Sequence, residues 1–300
     1  MSTRRTALLA ALAAVLLLPL TRTASAEPYS AVIVYGDSLS DNGNLFAATG
    51  VPPAPYYNGR FSNGPVAVEQ LAAQLGAPLI DFAWGGATTG IGNGGDGGTQ
   101  TSLGFFNLPG MLTQLAASSV PPGLIQNSLF VVWGGANDLE VGGSVTTAIS
   151  DIDAIVAALQ ANGAMHILVP GLPNLGLTPE FYGDAAATLF SQQFNQGLKS
   201  TLPSNVVYSD VYGLLNSVIQ NPGAYGLSDV TTPCFNGVTV CSNPNQHLFW
   251  DDIHPTTAAD AILASQFQSD LAPVPEPSSF LLLGSGMTAL VTMMRRRRQA

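Results

Sequence analysis

The chain has 300 residues, of which 46% are hydrophobic and only 9% are charged, and its 32 glycines and 21 prolines mark frequent turns. This composition excludes disorder driven by charge, and the length fits one large domain between two terminal segments. Residues 27–272 carry two basic side chains against 18 acidic ones. Because such a surface repels phosphate backbones, we expect no nucleic-acid partner.

Residues 1–26 have the order of a secretory signal peptide. Two arginines precede an apolar run over residues 7–20, and small residues lead up to Ala26. We predict cleavage after Ala26. An uncleaved membrane anchor is the alternative, but the apolar run is short for a bilayer span and Pro19 interrupts it.

Strand and helix patterns alternate through the middle of the chain. Short apolar runs rich in β-branched residues predict strands, and apolar residues at helical spacing predict helices. The predicted strands cover residues 31–35, 78–82, 128–133, 165–169 and 205–208, and the predicted helices cover residues 63–75, 144–160, 178–202 and 255–271. This alternation predicts a mostly parallel sheet with helices on both faces. In such sheets the ligand lies beyond the carboxyl ends of the strands, so we expect the chemistry in the loops that follow them.

A glycine-rich run over residues 91–98 is predicted to be a flexible surface loop. It has some likeness to a calcium-binding repeat, but a single copy has no neighbour on which to stack. It also lacks the Gly-Lys-Ser/Thr ending of a phosphate-binding loop.

The two cysteines, Cys234 and Cys241, lie in a stretch with the composition of a loop. Export favours a disulfide between them. A loop this short removes little chain entropy, so the disulfide is expected to shape the segment ahead of Asp251 rather than to supply most of the stability. A zinc site is the weaker alternative, because the spacing does not suit that metal.

Residues 273–300 form a tail in three parts. Val-Pro-Glu-Pro is followed by an uncharged apolar stretch over residues 278–294 and by four arginines. The order resembles the PEP-CTERM sorting signal of Gram-negative bacteria, which an exosortase reads. The resemblance implies transient insertion of the apolar helix into the inner membrane, removal of the tail, and passage of the domain to the cell surface or extracellular matrix. A plain membrane anchor is the alternative reading.

Side chains suited to acyl transfer lie in the loops around the predicted sheet. Ser38 follows the first strand within Gly-Asp-Ser-Leu, Gly86 follows the second and Asn137 follows the third, while Asp251 and His254 precede the last helix. Together they supply a hydroxyl nucleophile, donors for an oxyanion, and an imidazole with a carboxylate to orient it. Serine is a weak nucleophile at its free pKa and needs a neutral imidazole close by. No Gly-x-Ser-x-Gly occurs in residues 27–272, which argues against the elbow of the α/β-hydrolases.

These motifs, in this order, resemble the GDSL or SGNH family of esterases and lipases over nearly all of residues 29–271. Residues 59–65 and 172–179 look like the secreted phospholipase, lecithinase and hemolysin branch of that family. The resemblance implies a three-layer α/β/α fold with a mostly parallel, flavodoxin-like sheet.

The resemblance also implies a role for each residue of the set. Ser38 is the nucleophile, and its amide forms the oxyanion hole with the amide of Gly86 and the side chain of Asn137. His254 is the base and Asp251 orients it. The resemblance implies neither a metal nor an organic cofactor.

We therefore expect an exported serine esterase or lipase that hydrolyses carboxylic esters, from short-chain esters to acyl lipids, through an acyl-enzyme. Aromatic residues in the nearby loops, such as Tyr56, Phe61 and Phe106, favour an acyl-chain groove, although aromatic side chains are equally often part of a core. One alternative is a polysaccharide O-acetylesterase of the same fold. Another is a non-catalytic surface or matrix protein, against which the full set of catalytic residues argues.

Overall fold

The computed structural model of the protein describes residues 29–272, so the predictions for residues 1–26 and for the tail from residue 273 lie outside it. The strands are β1 (Val32–Gly36), β2 (Leu79–Asp81), β3 (Leu129–Trp133), β4 (His166–Pro170) and β5 (Val207–Ser209). The helices are α1 (Asn44–Thr49), α2 (Ala67–Leu75), α3 (Met111–Ala117), α4 (Pro122–Ile125), α5 (Ala136–Glu140), α6 (Val145–Ala161), α7 (Ala185–Thr201), α8 (Val211–Gln220) and α9 (Thr257–Leu271). Short 3-10 turns cover Gly94–Asp96, Leu175–Leu177, Pro222–Tyr225 and Pro244–Gln246. Among residues 29–272, no helix combines the length and the hydropathy needed to cross a membrane.

The five strands form one sheet in the order β2-β1-β3-β4-β5, and every neighbouring pair is parallel. This is the flavodoxin-like order, so the predicted α/β class is confirmed. The strand order reverses at the β1/β3 pair, where Gly36 lies opposite Trp133. Ligands of open α/β sheets bind at such a reversal, beyond the carboxyl ends of the strands.

Strand side chains alternate between two apolar layers. Ile33 and Tyr35 belong to a buried cluster with α6 and α7, whereas Val32 and Val34 belong to one with α2 and α9. A third cluster packs Leu248 and Phe249 against α8 and the start of α9. The third cluster packs the chain immediately ahead of Asp251 against α9, the helix that also covers one face of the sheet.

Two predicted helices begin at least four residues later in the structure than in the sequence pattern. The helix expected from residue 178 begins at Ala185, because the side chain of Asp184 caps it by accepting hydrogen bonds from the amides of Ala186 and Ala187. The helix expected from residue 63 begins at Ala67, where Glu69 reaches back to the amide of Val66.

Candidate active site

The turn after β1 presents Ser38 at the carboxyl edge of the sheet. The carbonyl of Asp37 accepts hydrogen bonds from the amides of Ser40 and Asp41 at 3.1 and 3.0 Å, which closes the turn around Ser38. Gln114 of α3 clamps the end of β1, because its amide side chain bonds both the N–H and the C=O of Gly36. A Cβ on Gly36 would lie 2.6 Å from the carbonyl oxygen of Trp133, so this close strand pairing requires glycine.

Ser38, His254 and Asp251 form one hydrogen-bonded row. Ser38 Oγ lies 2.8 Å from His254 Nε2, although 216 positions separate the two residues in the chain. On the other side of the ring, Nδ1 lies 2.8 Å from Oδ2 and 3.0 Å from Oδ1 of Asp251. The Oδ1 atom also accepts the amides of Ile253 and His254 at 3.0 and 2.7 Å, so the loop itself orients the carboxylate.

The electrostatics of this row keep the carboxylate charged. Burial disfavours ionisation of Asp251, but the charge of His254 and the hydrogen bonds from that residue and from Ile253 outweigh it and lower the pKa of Asp251 to about 2. Burial alone would lower the pKa of His254, yet Asp251 outweighs it and the pKa of the imidazole is raised. An imidazole that is neutral above this pKa and hydrogen-bonded to a hydroxyl can accept the proton of that hydroxyl.

Asp37 is a second buried carboxyl group near the imidazole. Its Oδ1 atom accepts the amide of Leu39, while Oδ2 has no hydrogen-bond partner within residues 29–272. Burial raises the pKa of Asp37 to about 7. When ionised, Asp37 contributes to the raised pKa of His254.

Gly86 lies in a turn that only glycine accommodates. Its φ is +79°, and a Cβ there would lie 2.5 Å from Oδ1 of Asn93. Asn93 donates to the carbonyl of Gly85 at 2.8 Å, and Asp41 accepts the Gly85 amide at 2.7 Å, so both side chains hold the turn. Within residues 29–272, the amides of Ser38 and Gly86 donate to no acceptor.

Asn137 enters the site from the first turn of α5. Its Nδ2 donates to the carbonyl of Ala87 at 3.0 Å, which ties α5 to the segment after Gly86. The neighbouring Asp138 is buried and accepts hydrogen bonds from Thr89 and Gln100. Asn137 and Asp138 therefore join the loop after β3 to the segment after β2.

One cavity of about 640 Å³ contains all of the predicted catalytic side chains except Asp251. Ser38, Gly86, Asn137 and His254 line it. Its apolar lining comprises Leu45, Val51, Phe61, Phe106, Leu108, Val141 and Ile253, among others. The carboxyl groups of Glu140 and Glu180 also line it.

The glycine-rich run over residues 91–98, predicted as a surface loop, is only partly at the surface. Asn93 and Asp96 are buried in it, and Gly94 and Gly95 form part of the cavity wall. Composition is misleading here because the run is fixed by hydrogen bonds that Asn93 and Asp96 make with neighbouring backbone.

The predicted disulfide between Cys234 and Cys241 is present and shapes the segment ahead of Asp251. The amides of Cys234 and Phe235 donate to the carbonyls of Phe249 and Trp250, and the ring of Phe235 stacks on that of Trp250 at 5.7 Å.

One further contact at the site could not be predicted from the sequence motifs. Tyr56 Oη donates a hydrogen bond to Oδ2 of Asp251 at 2.7 Å. The sequence predicts Tyr56 only as one of the aromatic residues of a groove, because 195 positions separate it from Asp251 and no local pattern links the two.

The other two histidines of the chain lie away from the cavity lining. His247 lies 3.9 Å from a carboxylate oxygen of Asp229, and the exposed His166 packs edge-on against Tyr29. Within residues 29–272, no group of three or more His, Cys, Asp or Glu side chains is arranged to hold a metal ion.

Comparison with known proteins gives two family matches. The model described as GDSL-like Lipase/Acylhydrolase matches residues 32–267, and the PEP-CTERM protein-sorting motif matches residues 273–298. A GDSL esterase/lipase of Arabidopsis thaliana is 28% identical over 79% of this chain and 87% of its own length. A phosphatidylcholine-sterol acyltransferase of Aeromonas hydrophila is 29% identical over 80% of this chain and 89% of its own length. A solved structure of a lipolytic G-D-S-L protein from Veillonella parvula has a TM-score of 0.49 and 14% identity over 81% of this chain and 98% of that one.

Proposed function

The chain belongs to the GDSL-like lipase/acylhydrolase family and is a carboxylic ester hydrolase, and on that basis we propose that it cleaves acyl esters by a two-step route through an acyl-enzyme on Ser38. The observation that carries the proposal is the 2.8 Å contact between Ser38 Oγ and His254 Nε2 inside a largely apolar cavity.

In the first step, His254 Nε2 takes the proton of Ser38 as the Oγ atom attacks the carbonyl carbon of the ester. Asp251 stays ionised and stabilises the imidazolium that forms. The carbonyl oxygen becomes an oxyanion within reach of the Ser38 and Gly86 amides and of Asn137 Nδ2. Donors of this kind stabilise the charge as it develops in the transition state.

The imidazolium then gives its proton to the leaving alcohol oxygen. The C–O bond of the ester breaks, and the acyl group stays on Ser38. In the second step, His254 accepts a proton from water, whose oxygen attacks the acyl carbon. Collapse of this intermediate releases the carboxylic acid and returns the proton to Ser38.

The cavity supports an acyl-chain substrate. Apolar side chains such as Leu45, Phe61 and Ile253 surround the space beside Ser38, and burial of a methylene there stabilises binding by about 0.8 kcal/mol. No Lys or Arg occurs among the lining residues within the described part of the chain, and Glu140 and Glu180 add negative charge. These features favour an uncharged acyl chain over an anionic group at this position.

The PEP-CTERM motif implies export and sorting to the surface. We propose that the signal peptide is removed after Ala26 and that residues 278–294 hold the protein briefly in the inner membrane. An exosortase-type enzyme would then remove the tail, which delivers the hydrolase domain of residues 27–272 to the cell surface or matrix.

Hydrolysis of p-nitrophenyl esters from acetate to palmitate by the purified full-length protein tests the proposed chemistry. We expect a burst of p-nitrophenol equal to the enzyme present, a mass increase on the peptide that contains Ser38, and rates that rise from acetate toward longer chains. Activity confined to acetate and acetylated glycan would contradict the acyl-lipid substrate. An acyl group found on a residue other than Ser38 would contradict the mechanism.

A further inference from the structure

Two phenylalanines that are consecutive in the chain are exposed to solvent beside the cavity. Phe105 is 90% exposed and Phe106 is 78% exposed. Burial of such a side chain in an apolar environment is favourable, and contiguous exposed apolar side chains mark interaction sites more often than single ones.

The loop holds both rings outward. Asp96, only 6% exposed, accepts the amides of Phe106 and Leu108 through Oδ2 at 2.9 and 3.1 Å. Its carbonyl accepts the amide of Phe105 at 3.0 Å. These bonds fix the backbone of the loop, and with it the direction in which the side chains of Phe105 and Phe106 leave the chain, to a buried residue.

The pair is continuous with the candidate active site. Phe106 lines the same cavity as Ser38, and so does Val51, which is 47% exposed. We call Phe105, Phe106 and Val51 the apolar rim. Phe105 belongs to the rim but not to the cavity lining, so a substrate held inside the cavity does not account for its exposure.

The charge around the apolar rim indicates which kind of surface can bind there. Residues 42–59 and 97–137, which carry the rim, contain no charged side chain. Residues 27–272 as a whole are strongly acidic, with only Arg60 and Lys199 as cations. An anionic surface would be repelled, while a zwitterionic or uncharged one would meet an uncharged apolar edge.

We propose that the apolar rim docks on a zwitterionic or uncharged lipid surface and that Phe105 inserts among the acyl chains. The ester of a lipid molecule then enters the cavity beside Phe106 directly from that surface. The entry step rests on the proposed function, whereas the docking itself requires no turnover.

Fluorescence of the full-length protein tests docking independently of catalysis. Phe105→Trp is combined with Ser38→Ala, and emission is compared with that of the Ser38→Ala parent on phosphatidylcholine vesicles brominated in the acyl chains. We expect a blue shift and quenching for Phe105→Trp, and weaker quenching on vesicles that contain half anionic lipid. Val238→Trp is the matched control, because Val238 is an apolar residue that is 87% exposed outside the rim.

Several results would overturn the proposal. One is equal quenching at positions 105 and 238, which would mean that a membrane held nearby by the tail accounts for the signal. Equal quenching on zwitterionic and anionic vesicles would contradict the charge preference. A dimer that Phe105→Ser dissociates, with no quenching of Phe105→Trp, would assign the rim to a second copy of the chain.

Kinetics of Phe105→Ser provide the second readout. Hydrolysis of phosphatidylcholine in vesicles is expected to fall by about tenfold or more, since docking loses the burial of one phenyl ring, while hydrolysis of soluble p-nitrophenyl acetate stays unchanged. Equal losses on both substrates, or no loss on vesicles, would contradict docking. If neither substrate is hydrolysed by the unsubstituted protein, the proposed function fails while the fluorescence result still decides the docking.

Discussion

Tyr56 Oη lies 2.7 Å from Oδ2 of Asp251, the same oxygen that lies 2.8 Å from Nδ1 of His254. The two donors share one carboxylate oxygen, so the phenol reduces the negative charge that the imidazole meets. The ring of Tyr56 packs edge-on against Phe235 and Trp250 at 5.7 and 6.1 Å, which ties this contact to the disulfide segment. We infer that Tyr56 is a positioning residue that acts through Asp251.

Tyr56→Phe removes the hydrogen bond and keeps most of the packing. We expect kcat to fall by roughly tenfold, because the carboxylate of Asp251 loses a hydrogen bond that holds it in line with the imidazole, with KM nearly unchanged. The freed carboxylate stabilises the imidazolium more strongly, so the pKa of His254 rises and the acid limb of the profile of kcat/KM against pH moves to higher pH.

Tyr57→Phe is the matched control, because no hydrogen bond of the Tyr57 hydroxyl is found within residues 29–272. It should leave both kcat and the pH profile in place. A Tyr56→Phe protein that loses thermal stability but keeps the original acid limb would show that Tyr56 contributes to packing and not to the properties of His254.

The pH dependence of activity should follow His254. The base must be neutral, so kcat/KM is lost as the pH falls through the pKa of His254, which Asp251 raises above 6.5 despite burial. Asp251, with a pKa of about 2, stays ionised throughout this range. A profile measured from pH 5 to pH 9 should show the acid limb above 6.5, and a limb below that value would contradict the raised pKa.

Asp37→Asn should stabilise the protein at alkaline pH. Burial raises the pKa of Asp37 from 3.8 to about 7, so the folded state holds a proton that the unfolded chain has released between these values. The free energy of unfolding therefore falls as the pH rises from about 4 to about 7, on the order of a few kcal/mol, and the amide removes this loss. Thermal unfolding at pH 8 and pH 4 should show a gain in Tm at pH 8 only.

Asp252→Asn is the control for that comparison, because Asp252 is exposed and its replacement removes the same charge. Asp37→Asn should also move the acid limb to lower pH, because the Asp37 charge raises the pKa of His254. An equal gain in Tm from both variants would point to net charge rather than to burial.

Asn137→Ala tests the proposed oxyanion donors. We expect kcat to fall by about 10²- to 10³-fold, as for removal of one such donor, with a small change in KM. Asn174→Ala is a matched control, because Asn174 is also buried and follows a strand of the sheet but does not line the cavity. Similar losses in both variants would contradict a role at the oxyanion.

Removal of the disulfide by Cys234→Ser with Cys241→Ser should affect stability modestly. The sequence separation is 7 residues, and closure of so short a loop is worth roughly 2.5 kcal/mol in the chain-entropy model. We expect kcat to fall as well, since Phe235 contacts both Tyr56 and Trp250 beside Asp251. Unfolding in urea measures the effect on stability, and ester hydrolysis measures the effect on kcat. An unchanged kcat would show that the disulfide does not influence the active site.

The strands and their parallel pairing could be predicted because that information is local, whereas the flavodoxin-like order is expected only from the resemblance to the GDSL family. Each strand is a short apolar run, and strands that alternate with helices join in parallel. The same rule predicts that Ser38 and Asn137 gather at one edge, since both follow a strand by a few residues. Asp251 and His254 are three positions apart, so their contact is also local.

The supporting contacts could not be predicted, because they join segments that only the tertiary fold brings together. Tyr56 approaches Asp251 from a distant loop, and Asn93 holds the Gly86 turn from within a run whose composition predicts flexibility. The late start of α7 depends on the cap formed by Asp184, which competes with a helical pattern that extends further back.

The role of Ser38 as nucleophile is tested by kcat for p-nitrophenyl ester hydrolysis, measured for Ser38→Ala beside Ser40→Ala. Ser40 lies in the same turn, is buried, and its Oγ has no hydrogen-bond partner within residues 29–272. Ser38→Ala should lose at least about 10⁴-fold in kcat while Ser40→Ala retains activity near that of the unsubstituted protein. A Ser38→Ala protein that is folded and still hydrolyses the ester at the original rate would show that Ser38 is not the nucleophile.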